Sequence, residues 1–159
     1  AITPDRIQEA TRLIDRTLRQ AGHARPRIAV AALNPHAGDG GNFGREEIDV
    51  IEPAVRRMAG GQMAVTGPLP SDTVFLKVTK GEIDAVVTMY HDQGQIALKL
   101  LGFDRGVTVQ GGLPVPVTTP AHGTAFDIAG QGTADLGATR AASEIACKMV
   151  RNSQKETAA

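Results

Sequence analysis

Ala85-Val-Val-Thr-Met-Tyr90-His91-Asp92-Gln93-Gly94-Gln-Ile96-Ala-Leu98-Lys99 is the stretch that decides the architecture. Ala85 to Met89 is a short apolar run rich in β-branched residues, the pattern of a strand buried on both faces of a parallel sheet. A polar cluster follows at once: His91, Asp92, Gln93 and Gly94. Then comes a helical pattern in which Ile96, Leu98, Leu100 and Leu101 supply the apolar positions. Strand, polar turn and helix make the repeating unit of an α/β sheet, and such sheets place ligands just past the carboxyl ends of their strands. Capping of the next helix is the other job open to His91 and Asp92. This stretch alone leaves both readings open.

The same unit recurs upstream. Arg27 to Leu33 reads as a buried strand, and it runs into Asn34-Pro35-His36-Ala37-Gly38-Asp39-Gly40-Gly41-Asn42-Phe43-Gly44. Gly38, Gly40, Gly41 and Gly44 permit tight or positive-φ backbone there. No Lys-Ser/Thr follows these glycines, so a nucleoside-triphosphate loop is disfavoured. Arg45 to Ala59 reads as a helix that Pro53 kinks or restarts. Ala64 to Thr66 is a short strand broken by Gly67-Pro68. Val74 to Lys80 is helical, with Asp72 as candidate N-cap. At the start of the chain Thr3 caps a helix opened by Pro4, with Ile7, Ala10, Ile14, Leu18 and Ala21 as its core stripe and Gly22 as its stop. Arg105 to Val109 and Val115 to Thr119 are extended. Asp135 to Val150 is a last helix, cored by Leu136, Ala142, Ile145, Ala146 and Met149, and the polar tail from Arg151 is expected to fray. The alternation gives an α/β fold with a mixed or mostly parallel sheet.

Composition narrows the function classes. Seventeen basic and seventeen acidic residues among 159 balance to zero formal charge, and no basic run appears, which argues against nucleic acid as a partner. The single cysteine, Cys147, rules out an intrachain disulfide framework and reads as a buried inert thiol in a helix. No membrane-length apolar run or signal peptide is visible, so a cytoplasmic protein is expected. Aromatic residues make up 3%, so the core must be built from aliphatic side chains.

His36, Asp72 and His91 all lie in loops beside strand ends. Two imidazoles and a carboxylate are the donor types of a borderline divalent cation. Each also has an ordinary structural reading: His36 satisfied by backbone, Asp72 as a cap. Lys99, two turns past His91, is a candidate for an anionic substrate group, with a solvated helix face as its alternative. Ala121 to Gly132 is rich in small residues, as backbone lying against a flat ligand would need.

Four motifs, in this order, closely resemble the 4-hydroxythreonine-4-phosphate dehydrogenase family of vitamin B6 synthesis and its paralogues. They are Leu33-Asn-Pro-His36-Ala-Gly38, Gly67-Pro-Leu-Pro-Ser-Asp72-Thr, Met89-Tyr-His91-Asp-Gln-Gly94 and His122-Gly-Thr-Ala-Phe-Asp127-Ile-Ala-Gly130-Gln-Gly132. The last is also similar to the adenosine-binding segment of isopropylmalate dehydrogenases. The resemblance covers Arg27 to Val150 and is to the C-terminal half of the family's chain. It implies the three-layer fold of isocitrate and isopropylmalate dehydrogenases, with residues 1–120 as the substrate, metal and dimerisation part and 121–159 as the NAD-contacting loop and returning helix. It implies an NAD-linked, metal-dependent dehydrogenase that oxidises a secondary alcohol of a phosphorylated hydroxy acid, with decarboxylation, in a cytoplasmic homodimer.

By position, the resemblance makes His36, His91 and Asp72 the metal ligands, with zinc first and magnesium, manganese or cobalt as alternatives. His91 would serve the neighbouring subunit's site. Lys99 and Asp72 would be catalytic. Lys99, Thr108 and Val117 would face substrate, and His122, Gly123, Thr124, Ala125, Asp127 and Gly130 would bind NAD. Two departures stand out: family members are longer, with another metal histidine and further substrate contacts in an N-terminal segment that this sequence lacks, and the family has a substrate-contacting asparagine and arginine where this chain has Thr108 and Val117. Val117 cannot form a bidentate pair with phosphate. A paralogue acting on another hydroxy acid or a dihydrodiol is therefore the alternative, beside a dimerising metal-binding fragment without turnover and a phosphate-binding protein or acyltransferase using the Gly38–Gly44 loop.

Overall fold

The computed structural model of the protein describes residues 2–157. They divide into two compact units, one of residues 2–19 and 23–95, the other of 20–22 and 96–157.

The first unit is built on a three-stranded parallel sheet in the order β2-β1-β3, with β1 Arg27–Ala31, β2 Ala64–Leu69 and β3 Ala85–Val87. Its central strand is sealed: Ile28 is 1% exposed and Ala29 to Ala32 are fully buried. That burial explains why Arg27 to Leu33 reads as an unbroken apolar run. Alternate residues of β1 serve opposite faces. Val30 joins Ile7, Ile51, Ala54, Val55 and Met58 on one side. Ala29 and Ala31 join Val74 and Ile83 on the other. Helices α1 (Pro4–Gln20) and α2 (Glu52–Ala59) supply the first layer and α3 (Val74–Thr79) the second. The unit is thus a three-layer α/β sandwich.

Several expectations are adjusted by packing. Thr3 caps α1 as predicted, its Oγ1 accepting from Arg6 N at 3.3 Å. The buried stripe of that helix, however, is Ile7, Gln8, Thr11 and Asp15, while Ala10 is exposed. The helix turns polar groups inward that are only partly satisfied: Thr11 Oγ1 donates to Ile7 O, Arg19 Nε to Asp15 Oδ2 and Arg12 Nη2 to Gln8 Oε1, while Gln8 Nε2 and Asp15 Oδ1 have no partner among the described residues. The expected helix at Arg45–Ala59 is a π-turn, Glu47–Ile51, followed by α2 with Pro53 in its first turn. Proline has no N–H and its ring crowds the carbonyl four residues back, so the helix restarts there. β2 does not stop at Thr66. It continues through Gly67-Pro68 to Leu69 by a bulge, since Ala29 pairs with Thr66 but Ala31 with Leu69. Asp72 does not cap α3; Thr73 holds that position.

In the second unit, β4 (Val107–Val109) and β5 (Thr118–Pro120) form an antiparallel pair, and both pack on α5 (Gly137–Thr157). Both strands are shorter than expected. Phe103–Arg105 is a 3-10 turn, and the second strand begins only after Pro116, which has no N–H for the ladder. Helix α5 continues past Arg151, where fraying was expected, to Thr157. Asp135 Oδ1 accepts from Gly137 N at its start. Ala138, Ala142 and Met149 are its buried residues, whereas Leu136 is exposed. Cys147 is exposed too, on the face of α5 away from this packing, rather than the buried thiol expected. Helix α4 (His91–Gly102) begins in the first unit and passes into the second. The compact units divide inside α4. No described helix is long and apolar enough to cross a membrane.

Candidate active site

Because the sheet is parallel, β1, β2 and β3 release their chains at one end. Pro35-His36 follows β1, Ser71-Asp72 follows β2, and Tyr90-His91 follows β3. The three candidate ligands thus stand on three adjacent strand-to-helix loops at the carboxyl edge, with the His36 loop central. Strand spacing of about 4.8 Å sets the lateral scale. Among the described residues no three His, Cys, Asp or Glu side chains come together closely enough to hold a metal ion. One chain therefore offers the donors on one edge without closing a ligand set.

The three side chains are exposed, and none has the structural job that sequence allowed it. His36 makes no hydrogen bond with a described residue. Its ring leans on Phe43, centroids 6.0 Å apart and tilted by 51°. Both its nitrogens are open. Asp72 makes no hydrogen bond or ion pair with a described residue. His91 turns Nδ1 toward Asp92 Oδ1 at 2.8 Å, which leaves Nε2 available. A carboxylate on the far nitrogen is the usual way a metal-binding imidazole is oriented.

His36 sits on unusual backbone. Five consecutive residues, His36 to Gly40, lie in the left-handed region, with φ of 54°, 55°, 83°, 44° and 65°. The glycines were expected there; His36, Ala37 and Asp39 were not. Each L residue in this basin costs about 1–2 kcal/mol, so the turn needs an anchor. That anchor is Glu47, 3% exposed, which the sequence reading passed over. Its Oε1 accepts from both Leu33 N and Asn34 N at 2.8 Å, and Oε2 from Asn34 Nδ2 at 3.0 Å. A Cβ on Gly38 would lie 2.7 Å from Glu47 Oε2. Burial pushes the Glu47 carboxyl up, but the hydrogen bonds from Asn34, from its own N–H and from Leu33 outweigh it and hold the group below the ordinary range. A signal existed: Glu47 lies four residues before the fully buried Ile51, on the same helix face.

Gln93 is the second residue whose role went unread. It is 9% exposed. Its Oε1 accepts from Met89 N at 2.7 Å, and its Nε2 donates to Ala32 O at 2.8 Å. The first contact resembles a capping box and is the job that His91 and Asp92 do not perform.

The second unit carries the other candidates. Lys99 is exposed on α4, eight positions after His91. Thr108 pairs with Thr119 across the β4–β5 ladder, and Val117 O accepts from Gln110 N. Alternation puts Thr108 and Val117 on the same face of this hairpin, away from the half-buried Val107, Val109 and Thr118. His122, Gly123, Thr124, Ala125, Asp127 and Gly130 are all exposed. Ala125 is left-handed at φ 48° and opens the 3-10 turn Phe126–Ile128, with Asp127 at its centre. Gln131 Nε2 donates to Asp127 O, and nothing stands within 4 Å of a Cβ on Gly123 or Gly130. The segment has the open, small-residue surface a flat ligand needs.

Residues 1–146 match the family profile described as pyridoxal phosphate biosynthetic protein PdxA. A Pseudomonas aeruginosa protein provisionally named 4-hydroxythreonine-4-phosphate dehydrogenase 2 is 65% identical over 154 residues, covering 95% of this chain and 45% of the relative. The crystal structure of 4-hydroxythreonine-4-phosphate dehydrogenase from Klebsiella pneumoniae superposes with a TM-score of 0.81 at 46% identity, over 94% of this chain and 45% of that one. A terephthalate 1,2-cis-dihydrodiol dehydrogenase from Burkholderia xenovorans follows at TM-score 0.72 and 35% identity, over 92% and 47%. The chain spans less than half the length of each of these relatives. It shares their isocitrate dehydrogenase-like fold, and it belongs to the PdxA family of pyridoxal phosphate biosynthetic proteins.

Proposed function

We propose that this chain forms part of a cytoplasmic, homodimeric, metal-dependent and NAD-linked dehydrogenase. Its substrate is 4-phosphooxythreonine or a similar hydroxy acid, whose secondary alcohol is oxidised with decarboxylation. The observation that carries this reading is the gathering of open donors at one sheet edge: His36 with both ring nitrogens open, His91 with Nε2 open and Asp72 with a free carboxylate. Two imidazoles and a carboxylate fit zinc, with cobalt, manganese and magnesium as alternatives. One chain does not complete the set. A second subunit supplying His91 to the site of the first would do so.

A bound divalent cation polarises a substrate oxygen, and NAD accepts the hydride. The chain's own residues then bind and orient. His36, Asp72 and His91 would hold the cation, Lys99 would offer an ammonium to the substrate's anionic group, and Asp127 would accept from the adenine ribose hydroxyls. A carboxylate there favours NAD over a 2′-phosphorylated dinucleotide.

A second reading keeps the chemistry and changes the substrate. Thr108 and Val117 share one hairpin face that offers no guanidinium for a phosphate. The similarity to a dihydrodiol dehydrogenase, at 35% identity, supports a substrate without one.

The test assays the intact protein for metal-dependent NADH formation with 4-phosphooxythreonine, D-threonate 4-phosphate and a cis-dihydrodiol carboxylate. The His36→Ala variant should lose at least a hundredfold in kcat/KM. Turnover unchanged in that variant removes His36 from the site, and turnover of the dihydrodiol alone selects the second reading.

A further inference from the structure

All three candidate-ligand loops are tied to one tripeptide, Ala32-Leu33-Asn34. Ala32 N donates to Leu69 O at 2.8 Å, at the end of the strand that leads to Asp72. Ala32 O accepts from Gln93 Nε2 at 2.8 Å, on the helix that His91 begins. Leu33 N and Asn34 N both donate to Glu47 Oε1, and His36 lies two residues beyond Asn34. Gln93 completes the frame by accepting from Met89 N with its other amide atom.

We propose that Gln93 is a positioning residue that fixes the His91 turn against the strand end leading to His36, and so sets the affinity of the protein for its divalent cation. The side-chain chemistry admits little else. The position needs a donor and an acceptor at the reach of a γ-carboxamide, in a site only 9% exposed. Glutamate lacks the donor, and methionine and leucine lack both. Removing the amide leaves Met89 N–H and Ala32 C=O without partners, and buried backbone groups do not stay unpaired. The two loops would move apart to find water. Ligands must hold their places within about 0.5 Å, and loss of outer supports typically lowers metal affinity 10–100-fold. The inference rests on the metal-site reading proposed above.

The test titrates the intact protein with Co²⁺, read by its visible absorption, and with Zn²⁺ in competition with a chromophoric chelator. Gln93→Met keeps the volume without the hydrogen bonds, and Gln93→Leu is the second variant. Folded Gln93→Met should bind both ions at least tenfold more weakly and shift the Co²⁺ bands, while NAD affinity stays within twofold of wild type. Metal affinity within twofold of wild type and unchanged bands in either folded variant overturn the proposal. If wild type takes up no cation, the metal reading fails, and amide exchange in the metal-free protein decides the rest. Faster exchange of both 32–36 and 89–92 in the variants supports positioning by Gln93; unchanged exchange in either segment overturns it.

Discussion

Glu47 and Asp84 are two carboxylates whose acidity the fold changes, from different surroundings. Asp84 accepts Arg27 Nε at 2.9 Å, Arg27 Nη2 at 2.7 Å and Arg27 N at 2.8 Å. Those hydrogen bonds, with the adjacent guanidinium charge, hold its carboxyl far below the ordinary range. Glu47 is held below it by hydrogen bonds that outweigh burial. A group more acidic in the folded chain than in the unfolded one stabilises the fold fully where the unfolded group is ionised, above about pH 5. That stabilisation is lost as pH falls toward the folded value. Urea midpoints measured from pH 7 to pH 3 should therefore drop less steeply in Glu47→Gln and in Asp84→Asn than in wild type. At pH 7 Glu47→Gln should cost about 1–2 kcal/mol, because an amide would meet Asn34 Nδ2 where Oε2 now accepts. Parallel profiles would mean that neither group titrates with folding. At this scale the sequence showed which side chains were chemical and hid which were anchors. His36 and His91 declared themselves by following apolar strands. Glu47 looked like one more surface acid beside Glu46.

Among the elements, β1 was legible because burial on both faces leaves an unbroken apolar run, and β3, half-buried at the sheet edge, was legible from its short apolar run alone. The continuation of β2 through Gly67-Pro68 was not, since that dipeptide normally ends a strand. Gly67 makes it possible. Its φ is 137°, and a Cβ there would stand 2.5 Å from Val30 O, on the central strand. Gly67→Ala must then combine a disfavoured backbone with a clash against an immobile carbonyl. A loss of about 3 kcal/mol or more is expected, read as a lower urea midpoint with unchanged slope. Because β2 leads to Asp72, a folded Gly67→Ala should also bind Co²⁺ more weakly. A stability within 0.5 kcal/mol of wild type would show that the bulge can relax.

For the whole molecule, the motifs revealed more than the periodicities. The apolar positions of α4 read as core, yet Ile96, Leu100 and Leu101 are 60%, 81% and 55% exposed. Ile96 and Leu100 share one helix face. Exposed apolar surface of this kind marks interaction sites, which agrees with the proposed homodimer. No intrachain pattern distinguishes a helix that faces its own core from one that faces a second copy, so this could not be read from periodicity. Leu100→Asp in the intact protein should shift sedimentation from dimer to monomer. If His91 serves the partner's site, the same variant should weaken Co²⁺ binding in step with dissociation. A monomeric variant with wild-type metal affinity would confine the site to one chain.

The run from His36 to Gly40 has a consequence for chirality. Three of its five members are L residues held in a basin that is the mirror image of their own, and Ala37 has no polar side chain to compensate. An enantiomer would find that same backbone relaxed. A D-alanine installed at position 37 by chemical ligation turns a local penalty into a local preference, worth about 1–2 kcal/mol. The histidine beside it would then ride on a stiffer hoop with the same curvature.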